Sequence, residues 1–424
     1  MLESQHTFAK NFAWLVGSEG LVRMTRLVTA IALARYLTIA ELGIAALAIA
    51  SHEFLRLFAA NGFGLRVIRC SESELDPLCQ SVSVLNWVWS IGLFVLQVCA
   101  SWGIAHYYGA PELKDMITLL AVIYLTMPLG LTQMYRVHRA QKLKLTAWID
   151  SCQVMADNIL TAVLAVAGLG AWAIVLPKLI VAPIWVIGYR LACTWRFSAS
   201  RPRLPFRSAF SETRSWLSAE FARGLRSQLD VFVIGRVLGA EALGLYYFAR
   251  NAGLGISLSL LQAATHAMLP RLGQIARTVG TSTTFLRECR QVVNLVLLVT
   301  LPIIAAQVLL APWYVPMVFG DKWTAAVPVL VLLCLSAVPR VIGESVTQIA
   351  RVAGLANDDA RWNTWSAPLF FCAVWLGCHF GIVEAALSVL LFHCLYQLSF
   401  VVAIHRKVHR PSDMSSLGAD ATVA

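Results

Sequence analysis

Glu19, Arg23 and Arg26 recur at i, i+4 and i+7 inside an apolar run, EGLVRMTRL, residues 19 to 27. At ~100° per residue of α-helix the three fall within an arc of ~60°, so one stripe of one helix is charged. A second run repeats the arrangement: Glu220, Arg223, Arg226, Ser227 and Asp230 lie within ~120° by the same geometry. Glu53 and Arg56 at i, i+3, Arg250 beside Asn251, and Arg340 and Glu344 at i, i+4 add three more polar clusters. Guanidinium forks match phosphate oxygens well, so the chemistry on offer is anion binding. Bond-making chemistry has no comparable signal: there is no paired-carboxylate motif, no Gly-rich phosphate loop and no Cys/His ligand spacing. No catalytic residue, metal site or bound cofactor is expected.

The elements that must carry these charges are membrane helices. Of 424 residues, 58% are hydrophobic and 13% charged, and the mean hydropathy is +0.69, far from an ordinary soluble domain with about 25% charged residues. The ten cysteines are scattered without a CxxC pair and read as small buried hydrophobes. The first apolar run exceeds a signal-peptide core of about 7 to 15 residues and precedes no small-residue cleavage site, so the first helix is expected to remain in the protein. A bilayer core of about 30 Å asks for about 20 apolar residues per helix. On that measure twelve spans are expected, near 12–34, 41–61, 81–103, 116–135, 149–169, 171–189, 215–235, 242–268, 291–311, 326–350, 364–381 and 383–404.

Lys and Arg concentrate on the cytoplasmic side of membrane proteins. One alternate set of connecting segments holds twenty-two of them and the other only four, Arg35, Lys114, Arg236 and Lys322. Both termini are therefore expected in the cytoplasm and the number of spans is expected to be even. The net charge of +11 suits loops at an anionic inner leaflet and calls for no nucleic acid.

The longest polar connection, RFSASRPRLPFRSAFSETR, divides the chain. The expected organisation is a lobe of six helices over 1–195, a cytoplasmic linker over 196–214, a second six-helix lobe over 215–406 and a disordered tail over 407–424. At an offset of 201 residues Glu19 aligns with Glu220, Arg35 with Arg236, Leu37 with Leu238, Leu42 with Leu243, Gly43 with Gly244 and Ala48 with Ala249. ARYLTIAELG thus echoes GRVLGAEALG, and six spans per half make such repeats parallel, related by a pseudo-twofold along the membrane normal.

Eight basic residues are left at membrane depth: Arg23, Arg26, Arg56, Lys178, Arg223, Arg226, Arg250 and Arg340. Each costs about 2.5–3.5 kcal/mol at a helix centre, so each must meet water or a partner. One reading is internal pairing, Glu19 with Arg23 or Glu53 with Arg56. The other is a wet, net-positive vestibule shared by the first helices of the two halves, since the bases outnumber the acids Glu19, Glu53, Asp157, Glu220, Asp230 and Glu344. Pro177, Pro183 and Pro339 mark candidate helix breaks, while Pro128 and Pro302 read as ordinary membrane-helix prolines.

Three stretches resemble the oligosaccharide-lipid flippases of the MOP exporter superfamily: ARYLTIAELGIAAL (34–47), RSQLDVFVIGRVLGAEALGLYYFARNAG (226–253) ahead of HAMLPRLGQ (266–274), and VFGDKWTAAVPVLVLLCLSAVPR (318–340). The resemblance implies an all-α, V-shaped MATE-like transporter of two six-helix bundles in the bacterial inner membrane. It would move undecaprenyl-diphosphate-linked oligosaccharide by alternating access, coupled to Na+ or H+, ahead of a polysaccharide polymerase and chain-length machinery. It places Arg23, Arg26, Arg56, Arg223, Arg226, Arg250 and Arg340 in the substrate cavity, with Glu19, Asp157, Glu220, Asp230 and Glu344 as candidates for the coupling ion. Membrane lipids are the remaining expected partner.

Two alternatives stand beside it. A drug or cation antiporter of the same superfamily needs an acidic or apolar cavity, against the basic count here. A membrane glycosyltransferase or polymerase on the same carrier needs a large outer loop, and the outer loops are short. Arg23→Ala and Arg226→Ala should each abolish export while leaving the protein in the membrane; full transport by both, measured as surface polysaccharide, would remove the two residues from the site.

Overall fold

The computed structural model describes residues 20–59, 63–198, 200, 202, 204–205, 213–254, 282–352 and 355–408. Among the described residues there is no strand. The helices are α1 (20–36), α2 (Ile39–Ala59), α3 (Phe63–Arg69), α4 (Glu72–Tyr108), α5 (Glu112–Thr126), α6 (Pro128–Arg139), α7 (Leu143–Val166), α8 (Trp172–Ile180), α9 (Ala182–Ala192), α10 (Thr213–Val237), α11 (Gly239–Ala249), α12 (Ser282–Tyr314), α13 (Val327–Val352), α14 (Ala356–Cys378) and α15 (Ile382–Val408). The described parts of the twelve expected spans are mainly helical, while 12–19, 60–61 and 255–268 lie outside the described residues. Among the described residues seven spans are long and apolar enough to cross a membrane, and an eighth is the bent pair α5–α6. The chain is a multi-pass membrane protein. The tail beyond Val408 lies outside the described residues.

The chain divides into two units, Met1–Gly224 and Leu225–Ala424. In the first, α5 is the central helix: Leu113, Met116, Ile117, Leu120, Ala121 and Tyr124 are all fully buried as α5 packs against α2, α4 and α8. In the second, α13 takes that place, with Val329, Leu330, Leu333, Cys334 and Val341 fully buried against α11, α12 and α15. Both are the fourth span of their half. The repeat also reappears as a break: α1 ends at 36 and α10 at Val237, and Leu37 and Leu238 stand at the two corners, 201 residues apart. At the first corner a capping box closes the turn, with Thr38 N–H donating to Glu41 Oε2 at 2.7 Å and Glu41 N–H to Thr38 Oγ1 at 3.2 Å. At the second, Gly239 takes the turn at φ +86°.

Helix α4 is inverted relative to a soluble helix. Gln80, Ser83, Asn86, Ser90, Gln97 and Ser101 point inward while Val88, Val95, Leu96 and Trp102 are exposed. Hydrocarbon rewards that arrangement, because a polar side chain there has only protein to bond with. Gln97 donates to the Ile117 carbonyl at 2.8 Å and accepts from His52, and Ser101 meets Thr118 at 3.0 Å.

Prolines divide unexpectedly. Pro128 stands at a 53° bend between α5 and α6, so it is a genuine break rather than an ordinary membrane-helix proline. Pro183 follows the break between α8 and α9, whereas Pro177, Pro302 and Pro339 sit inside continuous helices. The cysteines also depart from expectation. Four are buried, but Cys99, Cys372 and Cys394 are exposed, because a thiol is apolar enough for the outer face of a membrane helix.

One end of the first unit is tied by arginine. Arg139 donates to the carbonyls of Val67, Ile68 and Cys70, at 3.1, 3.2 and 2.7 Å, and to Glu72 at 2.9 Å. This satisfies the last carbonyls of α3. Burial pushes the nearby Cys70 thiol up from its ordinary pKa. Gly64 on α3 lies against the Tyr135 ring, which a Cβ would overlap. Gly64→Ala should therefore lower stability by about 1–3 kcal/mol, read as a reduced melting temperature of the purified protein in detergent.

Candidate functional site

In the first unit the polar residues converge where α1, α7 and α8 meet. Thr25 and Thr29 share the packing face of α1 with Val22 and Ala32. Asn158 of α7 donates to Thr25 Oγ1 at 3.1 Å, and the Thr29 hydroxyl donates to the Asn158 carbonyl at 2.7 Å. These bonds set the rotation of α1. Arg26 and Arg23 lie ~40° and ~100° round from Val22, and both are exposed, beside exposed Leu21, Met24, Leu27 and Val28. Glu19 lies outside the described residues, so its pairing with Arg23 rests on the sequence alone.

Next to Asn158, Asp157 accepts from Lys178 of α8 at 2.5 Å. Only one carboxylate oxygen is used: Asp157 Oδ1 is buried without a hydrogen-bond partner among the described residues. On α2, Arg56 donates through Nε and Nη2 to a single oxygen of Glu53, at 2.9 and 2.8 Å. Half of the Arg56 side chain remains exposed, so this local pair does not bury its charge. One turn earlier His52 is buried, its Nδ1 donating to Gln97 Oε1 at 3.2 Å, while the Tyr124 hydroxyl donates to the His52 carbonyl at 3.2 Å.

The second unit gathers its charges around α10, α11, α13, α14 and α15. Asp230 is 4% exposed and fully engaged. It accepts from the Tyr246 hydroxyl at 2.7 Å, from Arg250 Nη1 at 3.0 and 3.3 Å, and from the Val231 N–H at 2.9 Å. Arg250 also donates to the Ser227 carbonyl at 2.9 Å, so α10 and α11 are joined by a charged clamp. Arg226 donates to Ser366 Oγ of α14 at 2.8 Å. Arg340 turns to α15 and donates from Nη2 to His393 Nε2 at 2.7 Å, while Glu344 is exposed. Because His393 Nε2 accepts, its proton sits on Nδ1, and both His393 Nδ1 and Arg340 Nε are buried without partners among the described residues. Glu220 and Arg223 lie on α10, with their side chains outside the described residues.

The partners that sequence reasoning missed are Lys178 for Asp157, His393 for Arg340, Tyr246 for Asp230 and Ser366 for Arg226. A lone histidine or serine in an apolar run carries no spacing signal. Among the described residues no group of three or more His, Cys, Asp or Glu could hold a metal ion.

Breaking the buried Asp230–Arg250 clamp with Asp230→Asn should cost about 3–5 kcal/mol, since it strands a guanidinium. Arg56→Gln, at an exposed i, i+3 pair, should stay within about 0.5 kcal/mol. Thermal unfolding of the two variants in detergent checks the contrast, and equal melting temperatures would remove the clamp from the stability of this unit.

Comparison with known proteins places this geometry. A family profile described as "Polysaccharide biosynthesis protein" matches residues 32–328. The teichuronic acid biosynthesis protein TuaB of Bacillus subtilis (strain 168) is 24% identical over 375 residues, 85% of this chain and 76% of the relative. The lipopolysaccharide biosynthesis protein WzxC of Escherichia coli (strain K12) is 24% identical over 352 residues, 79% of this chain and 68% of the relative. The solved structure of the lipid II flippase MurJ in its inward closed conformation has the same fold. Its TM-score is 0.72 at 13% identity, covering 97% of this chain and 92% of that one. The chain belongs to the polysaccharide biosynthesis protein family.

Proposed function

We propose that this protein is a flippase that carries undecaprenyl-diphosphate-linked oligosaccharide repeat units across the bacterial cytoplasmic membrane for surface-polysaccharide assembly. It is a transporter and not an enzyme. The observation that carries the reading is a pair of exposed arginines, Arg23 and Arg26, in a stretch of α1 where the exposed side chains around them, Leu21, Met24, Leu27 and Val28, are apolar. Lipid would not tolerate them, while a lipid-linked diphosphate or an acidic sugar offers the anion they match. Family membership, relatives named for lipopolysaccharide and teichuronic acid biosynthesis, and a fold shared with a lipid II flippase all support it.

On this reading Arg23, Arg26 and Arg56 in the first half, with Arg223, Arg226, Arg250 and Arg340 in the second, form the substrate's anion sites. Arg250 is the most committed to structure, being clamped by Asp230. Transport is driven by Na+ or H+. Of the acids, Asp157 suits the ion best, since its Oδ1 has no partner among the described residues, whereas both oxygens of Asp230 are taken. Glu19, Glu220 and Glu344 remain further candidates. Both termini lie in the cytoplasm, following the Lys/Arg asymmetry of the loops. A polymerase and chain-length machinery take the translocated unit.

Deleting the gene in its host should make complete repeat units accumulate on the lipid carrier, read by mass spectrometry of extracted lipids, with surface polymer lost. An Arg26→Ala copy should fail to restore export. Truncated units would point to a glycosyltransferase, and an unchanged lipid pool with new drug sensitivity would point to a cation antiporter.

A further inference from the structure

A groove of about 940 Å³ opens on the first unit between α4, α6, α9 and the extended segment that follows α9. Its two ends differ in chemistry. At one end stand Arg190 and Arg196, both exposed, and none of the residues lining the groove is acidic. Along α4 the wall is hydrocarbon, with Val88 64% exposed and Ile91 46% and Trp87 beside them, and Leu191, next to Arg190 in the chain, is 80% exposed.

The length of α4 fixes the depth of this feature. At 37 residues, or about 55 Å at 1.5 Å per residue, it exceeds a hydrocarbon core of about 30 Å. One interface is marked by exposed Trp102, over whose ring Lys114 Nζ lies at 3.7 Å. About 20 residues back, one core thickness away, is Ser83, which lines the groove. The arginines thus stand at headgroup level, and Ile91 lies about 12 Å deeper into the core.

We propose that this groove holds an anionic phospholipid of the surrounding bilayer, its phosphate against Arg190 and Arg196 and an acyl chain along Trp87, Val88, Ile91 and Leu191. Basic pockets between membrane helices at the positive side suit anionic headgroups, and guanidinium forks suit the phosphate. With no carboxylate in the lining, the cationic group of a zwitterionic lipid finds no partner. Both arginines are held in place. Arg190 Nε donates to the Leu129 carbonyl at 2.8 Å, just beyond the α5–α6 bend. Arg196 is anchored through its neighbours, as Trp195 Nε1 donates to Asp76 at 2.8 Å, Gln133 Nε2 donates to the Trp195 carbonyl at 3.2 Å and the Ser198 N–H donates to Gln80 at 3.0 Å. The lipid therefore braces the point at which the connection between the two halves leaves the first. This site stands apart from the proposed transport reading and does not depend on it.

Native mass spectrometry of the full chain, released from detergent after titration with dioleoyl-phosphatidylglycerol or dioleoyl-phosphatidylcholine, tests the assignment. The wild type should retain one phosphatidylglycerol in clear preference to phosphatidylcholine. Arg196→Gln should weaken that retention about fivefold, and Val88→Trp, which fills the tail path and keeps both arginines, should abolish it. Both variants should melt like the wild type in lipid-free detergent. Equal retention of the two lipids, or retention unchanged in both variants, overturns the proposal. Displacement of phosphatidylglycerol by equimolar undecaprenyl phosphate also overturns it, reassigning the groove to the carrier lipid.

Discussion

A polar group inside hydrocarbon has no water to fall back on, and this constraint governs most of the architecture. It turns α4 inside out, with Gln97, Asn86 and Ser101 inward and Val88 and Leu96 outward. It makes single hydrogen bonds into positioning devices, because a misrotated helix would strand a hydroxyl or an amide. The Asn158 bonds to Thr25 and Thr29 are the clearest case. By fixing the rotation of α1 they decide that its arginine stripe flanks the packed face instead of lying beneath it.

The two halves meet the constraint with a common plan and different residues. Each wraps its outer spans around a fourth span with a fully buried apolar face, α5 or α13. Each also breaks between its first two spans at positions 201 residues apart. The first break is closed by side-chain caps on Thr38 and Glu41 and the second by a glycine, two chemistries for one corner. The break between the first two spans recurs in each half while the residues that stabilise it differ.

Charge is sorted with equal economy. Asp230 with Arg250, and Asp157 with Lys178, pair a largely buried carboxylate with a partly exposed base, and separating them would strand the carboxylate. Arg23, Arg26 and half of Arg56 are left outward. The paired charges tie neighbouring helices together, and the outward guanidinium groups are those that the proposed flippase reading assigns to its cargo.

Much of this was legible in the residues themselves. The spans follow from the thickness of a bilayer core, the charged stripes from the 3.6-residue turn, and the Glu53–Arg56 pair from i, i+3 spacing, all of which are local. The corner at Leu37 and Leu238 was legible as a repeat. The long-range pairings were not. Lys178 is 21 residues from Asp157, His393 is 53 from Arg340 and Ser366 is 140 from Arg226, and no periodicity reports on such partners. Nor did local grammar separate the prolines: Pro128 bends its span while Pro302 rides in a continuous helix, because a kink depends on what neighbouring helices offer the freed carbonyl. The sequence by itself determined where the helices lie and which faces carry charge, since both depend on interactions within a turn or two. Only the tertiary structure decided which charges are spent on one another and which remain outward, since that depends on which helices come into contact.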